Sequence, residues 1–227
     1  LAEDLKPNRL EAAKDVAAEF INGRPNDNIG ITLFAGETFT QCPLTVDHAV
    51  LLDMIHNIKC GLIEDGTAVG MGIANAVTRL KDSKAKSKVI ILLTDGTNNK
   101  GDISPLTAAE IAKSFGIRVY TIGVGTNGMA PYPYPVGNAV QYVNMPVEID
   151  EKTLTQIAGT TDGNYFRATS NSKLKEVYEE IDKLEKTKLN VKEYSKRDEE
   201  YQWFALAAFL CVLLEVLLRN SILKKIP

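Results

Sequence analysis

The sequence predicts an α/β fold: a doubly wound, mainly parallel sheet with helices on both faces, followed by one C-terminal transmembrane helix. Three observations carry this. Helix-period and strand-like segments alternate along the first 184 residues, and parallel strands need helical crossovers that cover the sheet. The run Val89 to Leu93 is aliphatic without polar alternation, as expected of a strand buried on both faces. Residues 203–218 are apolar on every helical face but for Glu215, so that helix needs lipid or a core around it.

The elements follow in order. Leu10, Ala13, Val16, Ala17, Phe20 and Ile21 fall at helical spacing after Pro7-Asn8-Arg9, and Gly23 ends the helix. Ile29 to Phe34 reads as a strand, with Thr38 to Gln41 as a short partner. Thr45 is the expected cap of a second helix carrying Ala49, Leu52, Ile55 and Ile58. Asp65-Gly66 breaks the chain before a third helix over Ala68 to Leu80. The buried strand spans Lys88 to Thr94, a fourth helix Leu106 to Ser114, and another apolar strand Arg118 to Val124. Helices over Asp150 to Ala158 and Ser170 to Leu184 flank a last strand near Tyr165 to Arg167. The domains are then 1–184, a charged stalk over 185–200, and a membrane helix over 201–223 with a short basic tail to 227.

Composition removes several function classes. With a formal charge of −3 and scattered Lys and Arg, there is no basic field to draw the chain to nucleic acid. Three cysteines, Cys42, Cys60 and Cys211, form no CxxC and only two His are present, too few soft ligands for a zinc or iron–sulfur site. A helix between Cys42 and Cys60 would hold them roughly 18 Å apart, beyond disulfide reach. Gly123-Val-Gly125-Thr-Asn-Gly128 matches GxGxxG after a strand. Met129-Ala-Pro131-Tyr-Pro133-Tyr-Pro135 forbids the helix a dinucleotide site requires. His48 and His56 lie within one helix and no GxSxG elbow exists, so a hydrolase has no nucleophile.

The long Pro/Tyr/Gly segment 125–147 follows a strand and so lies on the crevice side of the sheet. It reads either as a functional loop or as a hairpin insertion. In the terminal helix the sixteen positions 203–218 reach about 24 Å, extended by Tyr201 and Ile222-Leu223. Trp203 and Tyr201 match an interfacial anchor at one end, and Arg219, Lys224 and Lys225 a cytoplasmic flank at the other. Glu215 can pair with Arg219 one turn on. A partner-packing helix is the alternative.

The candidate site is Asp95, where the buried strand ends and where α/β sheets place their ligand crevice. Thr67, in the turn Glu64-Asp65-Gly66-Thr67-Ala68-Val69-Gly70, is its candidate partner. A hydroxyl and a carboxylate suit a hard divalent ion. Taken singly, Thr67 reads equally as a helix cap and Asp95-Gly96 as a turn.

Asp65-Gly66-Thr67-Ala68-Val69-Gly70, followed by Leu92-Leu93-Thr94-Asp95-Gly96, resembles the von Willebrand factor A (VWA) domain. The resemblance implies a metal-ion-dependent adhesion site built from an Asp-x-Ser-x-Ser loop, a Thr loop and an Asp loop, with Thr67 and Asp95 as the second and third elements. The cofactor implied is Mg²⁺, with Mn²⁺ or Ca²⁺ as variants. No Asp-x-Ser-x-Ser occurs in the sequence; in the family that loop ends the first, central strand, so that strand is expected to be truncated here. Two exposed strand edges would follow, and the gap is expected to be filled by a swapped segment, another chain or a displaced helix.

Leu1 to Lys14, Gln41-Cys-Pro-Leu-Thr45, the Thr67 turn, the Pro/Tyr segment and the apolar helix together resemble the membrane-anchored VWA proteins of the bacterial aerotolerance (Bat) group. By that resemblance the domain is on the periplasmic side of the bacterial inner membrane and acts with other VWA and repeat proteins and a MoxR-type AAA+ ATPase. The expected function is non-enzymatic: binding of a protein partner's acidic residue through a bridging cation. A metal-independent scaffold of a membrane complex is the alternative.

Overall fold

A computed structural model of the chain describes residues 2–61, 63–126, 128–136, 139–194 and 201–221. The order is α1 (Arg9–Asn22), β1 (Ile29–Phe34), β2 (Thr38–Thr45), α2 (His48–His56), α3 (Val69–Leu80), β3 (Val89–Thr94), α4 (Pro105–Ser114), β4 (Arg118–Val124), β5 (Gly128–Val136), β6 (Ala139–Val147), α5 (Glu151–Thr160), β7 (Tyr165–Ala168), α6 (Asn171–Tyr194) and α7 (Tyr201–Ser221). Two compact units result, Leu1–Lys186 and Thr187–Pro227.

The parallel sheet has the order β3-β4-β7, with Val89 opposite Arg118, Thr94 opposite Gly123 and Thr121 opposite Tyr165. Helices cover both faces. Ile90, Leu92 and Val119 pack with Ile73 and Val77 of α3, Ala108 and Ala112 of α4, and Leu154 and Ile157 of α5. Tyr120, Ile122 and Val124 pack on the other face with Ala12 and Val16 of α1 and Leu174, Val177 and Ile181 of α6. Fully burying an aliphatic side chain such as Ile122 stabilises by about 1.5–3 kcal/mol, and β4 is buried at six consecutive positions from Val119 to Val124.

Several expectations change. The sheet is narrower than predicted, because β1 and β2 form a separate antiparallel pair packed on α2 through Ile29, Ile31 and Cys42. Val89, Ile91 and Leu93 of β3 are only partly buried; the strand pairs with β4 along one edge, and no described strand pairs along the other. Among the described residues no strand fills that position. Residues 2–8 form none, and Leu5 instead packs against the α1/β4/α6 face. Strand β2 continues to Thr45, so the cap of α2 is Asp47, whose side chain accepts from Val50 N. The helix accordingly buries Leu51 and Ile55, with Ala49 exposed.

Segment 125–147 is a hairpin rather than a loop, with β5 and β6 paired from Gly128–Val147 to Val136–Ala139. Every second residue of β5 from Pro131 to Pro135 is proline. Proline has no N–H to donate and is tolerated where that position faces away from the ladder. The carbonyl of Pro131 accordingly accepts from Glu3 N at 3.0 Å, outside the hairpin.

Two buried charges hold helices in place. Lys14 on α1 donates to Glu11 Oε1 (2.9 Å), His56 O (3.0 Å) and Ile58 O (3.1 Å), satisfying carbonyls at the end of α2. Glu185 on α6 accepts from Ser87 Oγ (2.9 Å), Tyr120 Oη (2.6 Å) and Arg118 Nη1 at the opposite end of the parallel sheet from Asp95. Burial raises the Glu185 pKa, but hydrogen bonds from Tyr120, Ser87 and Arg118 outweigh it and leave the carboxyl below its ordinary value.

In the second unit α7 exposes Leu206, Phe209, Leu210, Val212, Leu213, Leu214 and Val216. Among the described residues no helix is long and apolar enough to cross a membrane. The uninterrupted apolar run, Trp203 to Leu214, is twelve residues, closed by Glu215, and spans about 18 Å against a hydrocarbon core of about 30 Å. Residues 195–200 of the expected stalk, the last two residues of the expected membrane helix and its basic tail 224–227 lie outside the described residues; residues 185–194 continue α6.

Replacing Glu185 with Gln is expected to lower unfolding free energy by about 2 kcal/mol at pH 7, since it removes a charged acceptor from three donors. Because the folded pKa is depressed, this contribution is present above the unfolded value of about 4.3 and is lost as pH falls below it. Urea unfolding from pH 7 to pH 3 should therefore show wild type and Glu185→Gln converging in acid.

Candidate functional site

Strands β1 and β3 end beside three short loops, 35–37, 64–68 and 95–104. Backbone hydrogen bonds bind the loops to one another: Gly36 N to Glu64 O (2.8 Å), Ala68 N to Ala35 O (2.7 Å) and Asn99 N to Thr67 O (3.0 Å). Gly66 has φ +145°, and a Cβ there would lie 3.0 Å from Gly36 Cα, so the turn needs glycine for its conformation and for its closeness to the first loop.

Thr67 is not the helix cap that the sequence allows. The N-cap of α3 is Ala68, which has no side-chain oxygen. The loop after Asp95 supplies the acceptors instead: Asn98 Oδ1 accepts from Val69 N (2.9 Å) and Asn99 Oδ1 from Thr67 N (2.8 Å). Capping in trans satisfies the first N–H of α3 through Asn98, and with the bond from Thr67 N to Asn99 it fixes the Thr67 turn to the Asp95 loop. Gly70 allows the approach, since a Cβ would stand 2.0 Å from Ile103 O.

Thr67 and Asp95 are thereby brought together. A Cβ on Gly96 would lie 3.4 Å from Thr67 Oγ1, which puts the hydroxyl against the residue following Asp95. Thr67 is half-buried and the Asp95 side chain 51 % exposed. Asp95 Oδ2 accepts from Arg9 Nη1 at 3.3 Å. Neither Asp95 Oδ1 nor the Thr67 hydroxyl has a hydrogen-bond partner among the described residues. Tyr132 of β5 borders the site: burial raises its pKa, and the Asp95 charge raises it further.

Sequence reasoning missed Arg9 and Asp4. Arg9 begins α1 at 4 % side-chain exposure; its Nε and Nη2 donate to Asp4 Oδ1 and Oδ2, both at 2.7 Å. Burial raises the Asp4 pKa, but Arg9 and the Thr126 backbone N–H hold the carboxyl far below the usual range. An Arg preceded by an Asp five residues earlier at a helix start was the available signal. Asn98 and Asn99 were missed because caps are sought just before a helix, not some thirty residues beyond its start.

The donors at the mouth of the site are hard oxygens, one carboxylate and one hydroxyl, which suit Mg²⁺ better than a soft metal. They fit a hard cation but supply only part of a shell. Among the described residues no three His, Cys, Asp or Glu side chains converge.

Residues 3–180 match the sequence profile of the von Willebrand factor type A domain. The chain belongs to that family. Two solved structures are similar to it: BatB from Bacteroides thetaiotaomicron, 33 % identical with a TM-score of 0.70, covering 82 % of this chain and 93 % of that one, and an aerotolerance-related membrane protein from Bacteroides fragilis, 30 % identical with a TM-score of 0.70, covering 81 % and 90 %. This VWA chain is thus related to the Bat aerotolerance proteins. An uncharacterised Borreliella burgdorferi protein is 27 % identical over 220 residues; the chain spans 64 % of that relative's length.

Replacing Asn98 with Ala should cost about 1 kcal/mol of stability through the lost cap. A lower urea midpoint with unchanged slope is the expected readout, and an unchanged midpoint would mean that the trans cap contributes nothing.

Proposed function

We propose that this VWA domain is a membrane-attached protein-recognition module whose site binds a hard divalent cation, Mg²⁺ first, through Asp95 and Thr67. The observation that carries the reading is a half-exposed carboxylate, Asp95, whose Oδ1 has no described partner, next in sequence to Gly96, against which lies the equally unpartnered Thr67 hydroxyl. A bound Mg²⁺ would supply a positive centre with an open position for a carboxylate. Asp95 contributes charge, Thr67 a neutral oxygen, and the trans cap from Asn98 and Asn99 keeps the two at a fixed separation. A partner's Asp or Glu completes the shell, and the rim formed by residues 97–103 and the β5–β6 hairpin adds contacts specific to that partner. Exposed Met129, Tyr142 and Met145 on the hairpin are side chains of the kind enriched at interfaces.

The exposed apolar stripe of α7 is the proposed membrane contact, in keeping with the aerotolerance-related membrane protein among the neighbours. We place the domain on the periplasmic side of a bacterial inner membrane, working in cell-envelope stress or aerotolerance with other VWA or repeat proteins and a MoxR-type ATPase. The proposed activity is recognition rather than catalysis. One observation favours the second reading, a metal-independent scaffold: Asp95 is already paired with Arg9, so its charge is partly matched without an ion.

Calorimetric titration of the intact protein with Mg²⁺ separates the readings. Saturable binding abolished by Asp95→Ala and weakened at least tenfold by Thr67→Ala is expected; no heat, or heat indifferent to Asp95→Ala, selects the scaffold. In flotation with phospholipid vesicles, the chain is expected to rise with the lipid and a chain ending at Tyr194 to stay in the aqueous layer. Equal flotation of both would remove α7 as the membrane contact.

A further inference from the structure

Arg9 joins the acidic site to a distant element. Two of its N–H groups are spent on Asp4 at 2.7 Å each, and Nη1 reaches Asp95 Oδ2 at 3.3 Å and Asp95 O at 3.5 Å. The guanidinium lies flat on Gly125, whose φ is +115° and where a Cβ would stand 2.3 Å from Arg9 Cζ. With side-chain exposures of 4 % for Arg9 and 6 % for Asp4, neither group has room to follow a ligand. Asp95, half in solvent, is the member of the chain that can reorient.

Asp4 continues the connection. Its Oδ2 accepts from Thr126 N (2.7 Å) and Thr126 Oγ1 (3.1 Å), and Thr126 leads directly toward β5. The neighbouring Glu3 N donates to Pro131 O at 3.0 Å, and Tyr142 Oη to Glu3 Oε1 at 3.3 Å. Both strands of the hairpin are therefore stitched to residues 3–4, and those residues to Asp95 through one buried guanidinium.

We propose that Arg9 is a positioning residue of the site: it fixes Asp95 by one carboxylate oxygen, aims the other at the ligand, and ties the state of Asp95 to the β5–β6 hairpin through Asp4 and Thr126. The proposal rests on the cation-binding reading above. Partners that orient a metal-ligating carboxylate typically govern affinity by ten- to a hundredfold. A rigid charged link of this kind also makes the hairpin part of whatever happens at Asp95, because coupling between two sites is reciprocal.

The test uses the intact protein, Mg²⁺ alone as probe, and two readouts, calorimetric affinity and hydrogen exchange of hairpin amides. In wild type, Mg²⁺ is expected to slow exchange at Thr126 and along β5 and β6. Arg9→Gln should weaken Mg²⁺ about tenfold and abolish the hairpin response even at saturating ion. Asp4→Asn, which leaves Arg9 beside Asp95, should lose the hairpin response with a smaller loss of affinity, and serves if Arg9→Gln does not fold. Wild-type affinity in Arg9→Gln, or a hairpin that still responds in either variant, overturns the proposal alone. No saturable Mg²⁺ binding in wild type overturns the cation-binding reading and this proposal with it.

Discussion

Parallel pairing of β3 with β4 is the constraint on which the rest of the structure depends. Register from Val89–Arg118 to Thr94–Gly123 ends both strands at one level, and parallel strands cannot be joined by a tight turn. The chain must leave each end by a loop and return through a helix. Residues 95–104 and 125–126 therefore start side by side, with Arg9 set between Asp95 and Gly125. A Cβ at Gly125 would strike Arg9, and one at Gly123 would press on Ile149 and Tyr165.

The ends of this sheet solve the problem of buried charge in related ways. At one end Arg118 and Tyr120 converge on Glu185 with Ser87; at the other Arg9 is shared between Asp4 and Asp95. Each is a charged group nearly removed from water and surrounded by donors or acceptors, an arrangement that is costly to leave incomplete. The difference lies in access. Glu185 is 6 % exposed and the Asp95 side chain 51 %, so the first cluster is closed to ligands and fixes α6, whereas the second has an open side.

Much of the fold was legible in the sequence, and its limits have physical causes. Helical spacing located α1, α3, α4 and α5 to within a few residues, and the uninterrupted apolar runs located β3 and β4, because burial on a face writes its period into the chain. The start of α2 was misread because Thr45 and Asp47 are both cap residues and β2 runs on through Pro43 and Leu44. Segment 125–147 was read as either a functional loop or a hairpin insertion, and the prolines of β5 do not prevent the hairpin when their nitrogens face outward. Asp95 and Thr67 could be singled out from local motifs. The Asp4–Arg9 spacing was readable at the start of α1, but the contact of Arg9 with Asp95 was not, since it spans 86 positions and a sequence displays spacing along the chain rather than nearness across it.

The alternating prolines of β5 have a further consequence. A free strand edge is ordinarily a template: its regular N–H and C=O groups will accept any extended chain that drifts alongside, which is how soluble proteins become fibres. The outward side of β5 offers carbonyls without the matching donors at Pro131 and Pro133, and one of those carbonyls is already taken by Glu3. A neighbouring strand would find acceptors but too few donors to zip against. The hairpin can thus carry exposed methionines and a tyrosine at the rim of the site, even where many copies crowd together, without inviting them to polymerise along that edge.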